Sequence, residues 1–427
     1  MESKIKVAFA GLGNRGKDAY LPAFMGLKDP VVEIAAVADI DPEKVKDVAE
    51  KYNLSAERCF SSAEELLAQP KLADAICITT MDRQHYGHVI AAIKKGYDVL
   101  LEKPISPFAQ ECREIQQLAK EHGTKVVVCH VLRYTVFYKK LKELVDKGTI
   151  GDVVTIMAIE NVGYYHQAHS FVRGNWANSD TTSPMILQKC CHDMDLYLWI
   201  ANKSCKRVSS FGGIYFFDEA HKPEGAAQRC MGGCKAKENC PFDAEKIYLD
   251  HYKIGVKNGN TGWPNEVLAL HPTVESITKA IQEGPYGKCV FSCDNNVVDH
   301  QVVNLEMTDG STMSFTMTGF TEHNTRYAKI MGTKGEIVAD LNTKQIVVNL
   351  FGQQPTVYDM TEEMKNASGH AGGDTGLVKE FVEYLCTGEL SGGLTSLDVS
   401  MESHYAALAA EKSRLQGGAP VDLAEVQ

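Results

Sequence analysis

Short apolar runs alternate with amphipathic stretches along the first third of the chain. The runs hold few polar residues, which is typical of parallel strands buried on both faces. The strands predicted in this way are residues 5–10, 31–38, 73–80, 99–101 and 125–130. Between them, stretches such as 83–95 and 110–122 have the apolar spacing of helices, and each is followed by a glycine. This alternation predicts an α/β fold with a doubly wound parallel sheet, which we assign to a first domain of residues 1–130.

The first predicted strand runs directly into a glycine-rich turn. Gly11, Gly13 and Gly16 have the GxGxxG spacing, with a strand before them and a helix predicted after them. In this arrangement Gly11 allows the tight turn, Gly13 lets the backbone approach a pyrophosphate, and Gly16 permits close helix packing. The N–H groups at the start of the helix would point toward the phosphates. Together with Asn14 and Arg15, which lie between the glycines, these residues form the core of a predicted dinucleotide site.

Asp39 ends the second predicted strand, about twenty residues beyond the last glycine. A carboxylate at this position accepts hydrogen bonds from the adenine ribose hydroxyls and repels a 2′-phosphate. Ile40 follows, and no arginine lies beside it. The pattern therefore favours NAD over NADP. The alternative is that Asp39 only opens the turn before Asp41 and Pro42, which are typical of a helix N-cap and of the first helical position.

Two further strand ends place polar side chains at the same edge of the sheet. One apolar run stops at Glu102, Lys103 and Pro104, and the run before it ends at Thr80. Ligands of open α/β sheets bind just beyond the carboxyl ends of the strands, so Thr80, Glu102 and Lys103 belong to the predicted cofactor site. His85, on the helix that follows Thr80, is added as a residue that holds the loop near the nicotinamide. The alternative for His85 is a structural hydrogen bond.

The second half of the chain, from residue 131, contains a polar segment rich in aromatic residues. A helix predicted over 133–147 and a long strand predicted over 152–161 precede it. Aromatic rings stack on the C–H faces of sugars and neighbouring polar groups bind the hydroxyls, so the segment predicts a site for a hydroxyl-rich ligand. A polar surface loop is the alternative interpretation. The candidate substrate-binding residues in this segment are Tyr164, His166, His169, Arg173 and Trp176.

A later amphipathic helix carries a candidate for proton transfer. His192 and Asp195 lie three residues apart, on one face of this helix. A helix dipole disfavours an imidazolium at the helix N-terminus, so His192 is expected to be neutral near pH 7, as a proton acceptor must be. Gln188 and Lys189 precede it and are added to the candidate substrate-binding residues. His370, in a glycine-rich loop that begins at Gly369, is added as well.

A cysteine-rich insertion follows a strand predicted over 208–217 and extends to about residue 285. Cys230, Cys234 and Cys240 lie within eleven residues, with glycines between the first two, which resembles a knuckle for a thiolate-bound ion. One interpretation is a structural zinc held by these three residues, with Cys289 or Cys293 as fourth ligand by residue type only. The other is a set of buried or free thiols, and no disulfide is expected.

Composition narrows the class of protein. At 427 residues the chain is too long for one ordinary core, so residues 131–427 are expected to form a second domain for substrate binding and oligomerisation. Its last predicted helix, 399–414, is a candidate to pack back on the first domain. A formal net charge of -11 argues against nucleic acid, and no apolar run is long enough to span a bilayer. Because the first strand leaves no room for a signal peptide, the thirteen cysteines are expected to be reduced thiols in a cytoplasmic protein.

These motifs together resemble the glucose-fructose oxidoreductase / inositol dehydrogenase / MocA family over essentially the whole chain. The matching residues are Gly11, Gly13, Gly16, Thr80, His85, 102–104, 133–134, 192–195 and 332–335. The resemblance implies a Rossmann domain, a C-terminal α/β domain with a large open, mainly antiparallel sheet, and a homo-oligomer (a dimer or tetramer) formed through that sheet. It also implies hydride transfer between NAD and a hydroxyl of a carbohydrate or polyol. Lys103 and His192 stand at the positions of the family's catalytic lysine and histidine.

The chain departs from this family at one position. Many members carry an aspartate four residues before the catalytic histidine, where this chain has Gln188. An amide can bind a hydroxyl but cannot take its proton, so that task falls to His192 or Lys103. The leading hypothesis is an NAD-dependent oxidoreductase acting on a sugar or glycoside. The alternatives are a redox-neutral NAD-dependent glycosidase that oxidises C3 transiently, and a non-catalytic NAD-binding regulator, against which the retention of Lys103 and His192 argues.

Overall fold

The structure, a computed structural model, describes residues 4–28, 32–365, 370–389 and 391–427, and its strands form two sheets. Val31 and Gly369, at which a strand and a loop are predicted to begin, lie outside the described residues. Within the described ranges the first sheet has six strands and the second has nine. The predicted fold class is confirmed, since a parallel doubly wound sheet is followed by an α/β region with a large mixed sheet.

The first sheet is parallel throughout. Its strands are β1 (Ile5–Ala10), β2 (Val32–Ala38), β3 (Cys59–Phe60), β4 (Ala75–Ile78), β5 (Asp98–Leu101) and β6 (Val126–Val128). They lie in the order β3-β2-β1-β4-β5-β6, and each neighbouring pair is parallel. The strands are apolar because helices cover both faces, and Val7, Ala8 and Phe9 of β1 are completely buried. The strand order reverses between β1 and β4, which is where such sheets bind their ligands.

Five of the described α-helices lie within this first region of the chain. They are α1 (Leu21–Met25), α2 (Pro42–Tyr52), α3 (Ala63–Ala68), α4 (His85–Lys94) and α5 (Ala109–His122). The predicted N-cap of α2 is confirmed, because the Asp41 side chain accepts a hydrogen bond from the Glu43 N–H and Pro42 occupies the first helical position. The glycine turn continues into a π-helix, Asn14–Tyr20, which runs directly into α1. A helical segment therefore begins immediately beyond the carboxyl end of β1.

The second sheet is antiparallel except at one pair of strands. Its strands are β7 (Val153–Gly163), β8 (Cys205–Gly213), β9 (His300–Met307), β10 (Thr312–Thr321), β11 (Thr325–Gly332), β12 (Gly335–Asp340), β13 (Gln345–Leu350), β14 (Thr356–Asp359) and β15 (Val421–Asp422). They lie in the order β14-β13-β12-β11-β7-β10-β9-β8-β15, and β7 and β10 form the parallel pair. Side chains alternate between a buried and a more exposed face, as Met313, Phe315 and Met317 of β10 illustrate on the buried side.

The remaining α-helices lie in the second part of the chain. They are α6 (Val136–Asp146), α7 (Tyr164–His166), α8 (Met185–Gln188), α9 (Cys191–Ala201), α10 (Asn265–Leu268), α11 (Val274–Glu283), α12 (Gly373–Thr387) and α13 (Leu397–Leu415). Helix α13 contacts β8 and α9 of the second region and α5 and β6 of the first, so it joins the two. Among the described residues, no helix combines the length and apolar character that crossing a membrane requires.

One helix from the end of the chain completes the core of the first sheet. Leu377, Val378 and Phe381 of α12 share an apolar cluster with Phe9 and Phe24, and the Phe24 and Phe381 rings meet edge to face at 6.3 Å. This packing brings the start of α12, and the loop with His370 before it, to the edge of the sheet where the cofactor site is predicted.

The insertion lies between β8 and β9, over residues 214–299. It begins slightly earlier than predicted because β8 ends at Gly213. The insertion has an apolar core of its own, which includes Tyr248, Ile277 and Phe291. Helix α10 of the insertion reaches the glycine turn, because its Glu266 accepts a hydrogen bond from Asn14 Nδ2.

Candidate active site

Two glycines of the turn, Gly11 and Gly16, pack against protein atoms, whereas Gly13 faces open space. Gly11 has a φ of +99°, and a Cβ there would lie 2.7 Å from the Thr79 carbonyl. A Cβ on Gly16 would lie 2.2 Å from the Gly11 carbonyl oxygen. A Cβ on Gly13, by contrast, would meet no atom within 4 Å. Only the face of the turn at Gly13 therefore has room for a pyrophosphate to approach the backbone.

Asp39 lies beside the same turn at the end of β2. Its carboxylate accepts hydrogen bonds from the Leu12 N–H at 2.6 Å and from the Asp41 N–H at 2.9 Å. Asp39 therefore holds the glycine turn and opens the turn before α2, and its contact with an adenine ribose stays a prediction. Ile40 next to it is 84% exposed. The open glycine, the carboxylate and the exposed apolar side chain fit the adenosine and pyrophosphate parts of NAD.

Arg15 connects the glycine turn to two carboxylates below it. Its Nε donates to Glu102 at 2.8 Å and its Nη2 donates to Asp374 at 2.6 Å. Tyr20 also donates to Glu102 at 2.5 Å, and His370 Nδ1 lies 3.2 Å from Arg15 Nη1. Burial alone would raise the pKa of Asp374, but Arg15 holds it well below its usual range. The carboxylates of Glu102 and Asp374 are thus used within the protein, where they fix Arg15 and the loop of His370.

The loop that carries Lys103 is held from two sides. The Ile105 N–H donates to His404 Nε2 at 2.9 Å, and His404 Nδ1 lies 2.9 Å from the Ser400 carbonyl oxygen, which fixes the proton of this buried imidazole on Nδ1. On the other side, His85 Nδ1 is 2.7 Å from the Pro104 carbonyl oxygen. His85 Nε2 is 3.0 Å from the carbonyl oxygen of Thr80, so this ring bridges two strand ends. These contacts set the direction in which Lys103 leaves the sheet.

Lys103 reaches from the first sheet to the second region of the chain. Its Nζ donates to the backbone carbonyl of Gln188 at 2.5 Å. Gln188 is the last residue of α8, shortly before the helix that carries His192, and it is 6% exposed. The position at which many family members have an aspartate therefore still contacts the lysine here, through its backbone carbonyl.

His192 lies in the first turn of α9, buried beside Lys103. Burial lowers the pKa of His192 well below its ordinary value, and the positive charge of Lys103 lowers it further. The His130 ring stands edge to face with it at 5.7 Å, and the His370 ring lies 6.1 Å away. The Nδ1 of His192 and both ring nitrogens of His130 are buried without a hydrogen-bond partner among the residues that the structure describes. His192 is therefore a neutral imidazole with hydrogen-bonding capacity left for a ligand or water.

Two buried ion pairs fix the turn of helix α9 that carries His192. Arg326 of β11 donates to Asp193 at 2.7 and 3.2 Å. Arg133, just after β6, donates to Asp195 at 2.6 and 2.5 Å. Bidentate pairs of this kind define orientation as well as contact. The second sheet and the first region thus hold the same turn of helix, which places His192 between them.

Lys189 has a carboxylate partner of its own. Its Nζ lies 3.1 Å from Glu160 of β7, and Glu160 also pairs with Arg326 at 2.8 Å. The Lys189 side chain keeps 16% of its surface exposed, whereas Glu160 is buried. The side chain of Lys189 is consequently held in place and stays partly exposed. We call the space bordered by Lys103, Lys189 and His192 the cleft.

The polar aromatic segment divides between the cleft and the interior. Tyr164 and His166 are partly exposed on α7, and His166 Nδ1 lies 3.0 Å from Asn324 Oδ1. The charges of Lys189 and Lys103 both lower the pKa of His166, after the larger effect of burial. Trp176 donates from Nε1 to Asp82 at 3.3 Å, which is a contact with the first region of the chain.

His169 and Arg173 lie away from the cleft, contrary to the sequence-based expectation. His169 is 2% exposed, contacts Tyr248 Oη at 2.9 Å and stacks on Tyr286. Arg173 donates to the carbonyls of Lys288 and Phe242, both at 2.7 Å, inside the insertion. These two side chains hold the insertion against the second region, so we leave them out of the substrate site.

The structure does not support the predicted zinc site. Cys230, Cys234, Cys240 and Cys289 line one small cavity of about 20 Å³ together with Arg173. Among the described residues, however, no group of three or more His, Cys, Asp or Glu side chains is arranged to hold a metal ion. All thirteen cysteines lie in the described part of the chain, each as a free thiol. Burial raises the pKa of Cys230 and Cys240, which favours neutral thiols packed in the insertion.

Sequence reasoning missed several residues of this site. Glu160 and Arg326 face each other across β7 and β11, each in phase with the buried apolar residues of its strand. A charged residue at a buried-face position of a strand is a signal that could have found them. His130, His404 and Trp263, in contrast, carry no local pattern that distinguishes them.

Comparisons with known proteins agree with this geometry. Residues 5–130 match the family model described as "Oxidoreductase family, NAD-binding Rossmann fold", and residues 142–423 match "Oxidoreductase family, C-terminal alpha/beta domain". YteT of Bacillus subtilis (strain 168) is 22% identical over 397 residues, covering 88% of this chain and 87% of YteT. Inositol 2-dehydrogenase of Burkholderia ambifaria is 30% identical over 168 residues, covering 39% of this chain and 46% of that enzyme. The crystal structure of scyllo-inositol dehydrogenase from Lactobacillus casei with bound NAD(H) and scyllo-inositol superimposes with a TM-score of 0.67 at 17% identity, over 99% of this chain and 100% of that one.

Proposed function

Because the chain belongs to the glucose-fructose oxidoreductase / inositol dehydrogenase / MocA family of NAD-binding oxidoreductases, we propose that it transfers a hydride between NAD and a hydroxyl-bearing carbon of a carbohydrate or polyol. The observation that carries the proposal is the position of Lys103, whose Nζ donates to the Gln188 carbonyl, near a neutral, buried His192 at the edge of the sheet where the glycine turn opens. The relatives named inositol dehydrogenase support a polyhydroxylated substrate.

The chain's own groups define how the cofactor would be held. When bound, NAD supplies the hydride acceptor for the carbinol carbon. The backbone at Gly13 would receive the pyrophosphate, and Asp39 would accept hydrogen bonds from the ribose hydroxyls. The strand ends at Thr80 and Lys103, held by His85 and His404, would lie near the reacting end.

Two residues would then act on the substrate hydroxyl, Lys103 as a hydrogen-bond donor and His192 as the proton acceptor. The lysine ammonium donates a hydrogen bond to the substrate oxygen and stabilises the developing alkoxide. His192 is neutral, so it accepts the hydroxyl proton as the hydride leaves. Lys189, which is paired with Glu160, binds a neighbouring hydroxyl. Gln188 supplies the backbone carbonyl that orients Lys103, so this contact does not require the aspartate side chain of many relatives.

The test is a panel of free sugars, cyclitols, methyl glycosides and nitrophenyl glycosides incubated with NAD. Formation of NADH with at least one compound is expected. Lys103→Met should lower turnover by about 10²–10⁴-fold while leaving the Kd for NAD within about threefold. Lys46→Met, which changes an exposed lysine on α2, is the matched control and should leave both unchanged.

Two other outcomes of this panel would support the alternative functions. Release of nitrophenol without net NADH, lost in Lys103→Met, would instead identify a redox-neutral glycosidase. Tight NAD binding without turnover of any compound would instead support a non-catalytic NAD-binding regulator.

We also propose that a second copy of this chain covers the open face of the nine-stranded sheet. Neighbouring strands align Phe211, Val302, Thr316, Ile159 and Tyr327 in one row on that face. Phe211 is 54% exposed and Val302 is 40% exposed, which favours burial against a partner. Light scattering behind a sizing column should give a dimer or tetramer, and a Phe211→Lys variant should shift it to monomer. A monomeric wild-type chain at micromolar concentration would contradict this assembly.

A further inference from the structure

Rings from two separate parts of the chain form a continuous surface beside the cleft. The Trp263 ring, from the insertion, lies 4.8 Å from the ring of His166 and 6.1 Å from the ring of Tyr165. The His251 ring lies 5.6 Å from Tyr165 and stacks on Tyr252 at 4.8 Å. All five rings keep exposed surface, and Tyr252 is 63% exposed. We call these five residues the aromatic surface.

His166 connects the aromatic surface to the reacting groups. It is close enough to Lys103 and Lys189 for both of their charges to affect it. Asn324 fixes its orientation, since the amide oxygen lies 3.0 Å from His166 Nδ1 and the amide nitrogen donates to Tyr165 Oη at 3.1 Å. The aromatic surface therefore runs from His166, which is within electrostatic range of Lys103, to Tyr252.

A second group of histidine and tyrosine rings lies behind the aromatic surface, in a different environment. His169 stacks on Tyr286, Tyr248 meets both of these rings edge to face, and all three residues are buried, which is ordinary core packing. The Trp263 ring lies 5.3 Å from His169, so the indole is anchored on that core and keeps part of its surface exposed. A rigid, anchored ring with an accessible side is suited to stacking on a ligand.

We propose that the aromatic surface is a second binding subsite, which accepts the ring beyond the one that is oxidised. The substrate would then be a glycoside, with a sugar ring at Lys103 and His192 and an aglycone or a second sugar on Trp263. Aromatic faces bind the C–H side of a sugar or an aromatic aglycone, and Asn324 and the two histidines supply hydrogen bonds to hydroxyls. This inference rests on the proposed function, because it names the substrate class of the same site.

The test compares Trp263→Ala with the wild-type enzyme on matched substrates. The substrates are the methyl glycoside, the nitrophenyl glycoside and the disaccharide of whichever sugar the panel identifies. We expect the KM for the two larger compounds to rise about tenfold and the KM for the methyl glycoside to stay within about twofold. Trp263→Phe should bring the KM for the two larger compounds most of the way back to the wild-type value. Phe351→Ala removes an exposed aromatic ring far from the cleft and should change neither value.

An equal change of KM for small and large substrates would overturn the subsite. If the wild-type protein turns over none of the compounds, the proposed function fails but the subsite remains testable by binding. The chain has three tryptophans, so nitrophenyl glycosides bound at Trp263 should quench intrinsic fluorescence of the NAD-loaded protein. Saturable quenching that disappears in Trp263→Ala and persists in Trp199→Phe supports the subsite. Absence of quenching in the wild type would refute it.

Discussion

Replacing Gly13 with alanine should separate cofactor binding from folding. The residue has a φ of -68° and a ψ of -174°, a conformation that alanine adopts without strain, and its Cβ would meet no protein atom within 4 Å. An alanine at a compatible glycine position restricts the unfolded chain and stabilises a protein by about 0.4–1 kcal/mol. The apo protein should therefore be as stable as the wild type or slightly more stable. The same methyl group, however, would occupy the approach that a pyrophosphate needs.

The expected loss in NAD affinity is at least tenfold, which equals about 1.4 kcal/mol. A ligand present at 100 times its Kd stabilises the folded state by about 2.7 kcal/mol, and at 10 times its Kd by about 1.4 kcal/mol. Thermal unfolding with and without NAD, together with calorimetric titration, measures both quantities. Gly16→Ala is the matched control, since its Cβ would lie 2.2 Å from the Gly11 carbonyl oxygen and should destabilise the apo protein by about 1–3 kcal/mol. An unchanged Kd in Gly13→Ala would refute the placement of the pyrophosphate.

Two further predictions concern the cofactor and pH. Asp39→Ala should lower the preference for NAD over NADP, measured as the ratio of the two Kd values; an unchanged ratio would contradict the assignment to the ribose. Burial holds the pKa of His404 at about 3, below the ordinary value near 6.5, so between these values the unfolded chain binds a proton that the folded chain does not. The free energy of unfolding should therefore rise with pH across this window, by about 1.4 kcal/mol per unit from His404 alone. His404→Gln, which retains an acceptor for the Ile105 N–H, should flatten the slope seen by urea unfolding between pH 4.5 and 6.5, and an identical slope would exclude this residue as the cause.

The parts of the site that local sequence determines were predictable. A glycine turn depends on backbone geometry over a few residues, so its spacing identifies Gly11 and Gly13 without knowledge of the rest of the fold. The pairing of Glu160 with Arg326 joins residues 166 positions apart and depends on strand register in the second sheet, which a single sequence does not specify. Arg173 illustrates the converse. Its residue type suits a sugar site, but only the packing of the insertion determines that its guanidinium points away from the cleft.

His192 illustrates how the charge of a site arises from the whole fold. Its position at a helix N-terminus predicts a neutral imidazole through the helix dipole. In the structure, burial between two regions of the chain is the larger cause, and the charge of Lys103 is the next. Both depend on α9 being held by Arg326 from one side and by Arg133 from the other. Because the lysine that we propose to bind the substrate oxygen also lowers the pKa of His192, loss of the Lys103 charge should weaken the proposed hydrogen bond to the substrate and raise the pKa of His192 together.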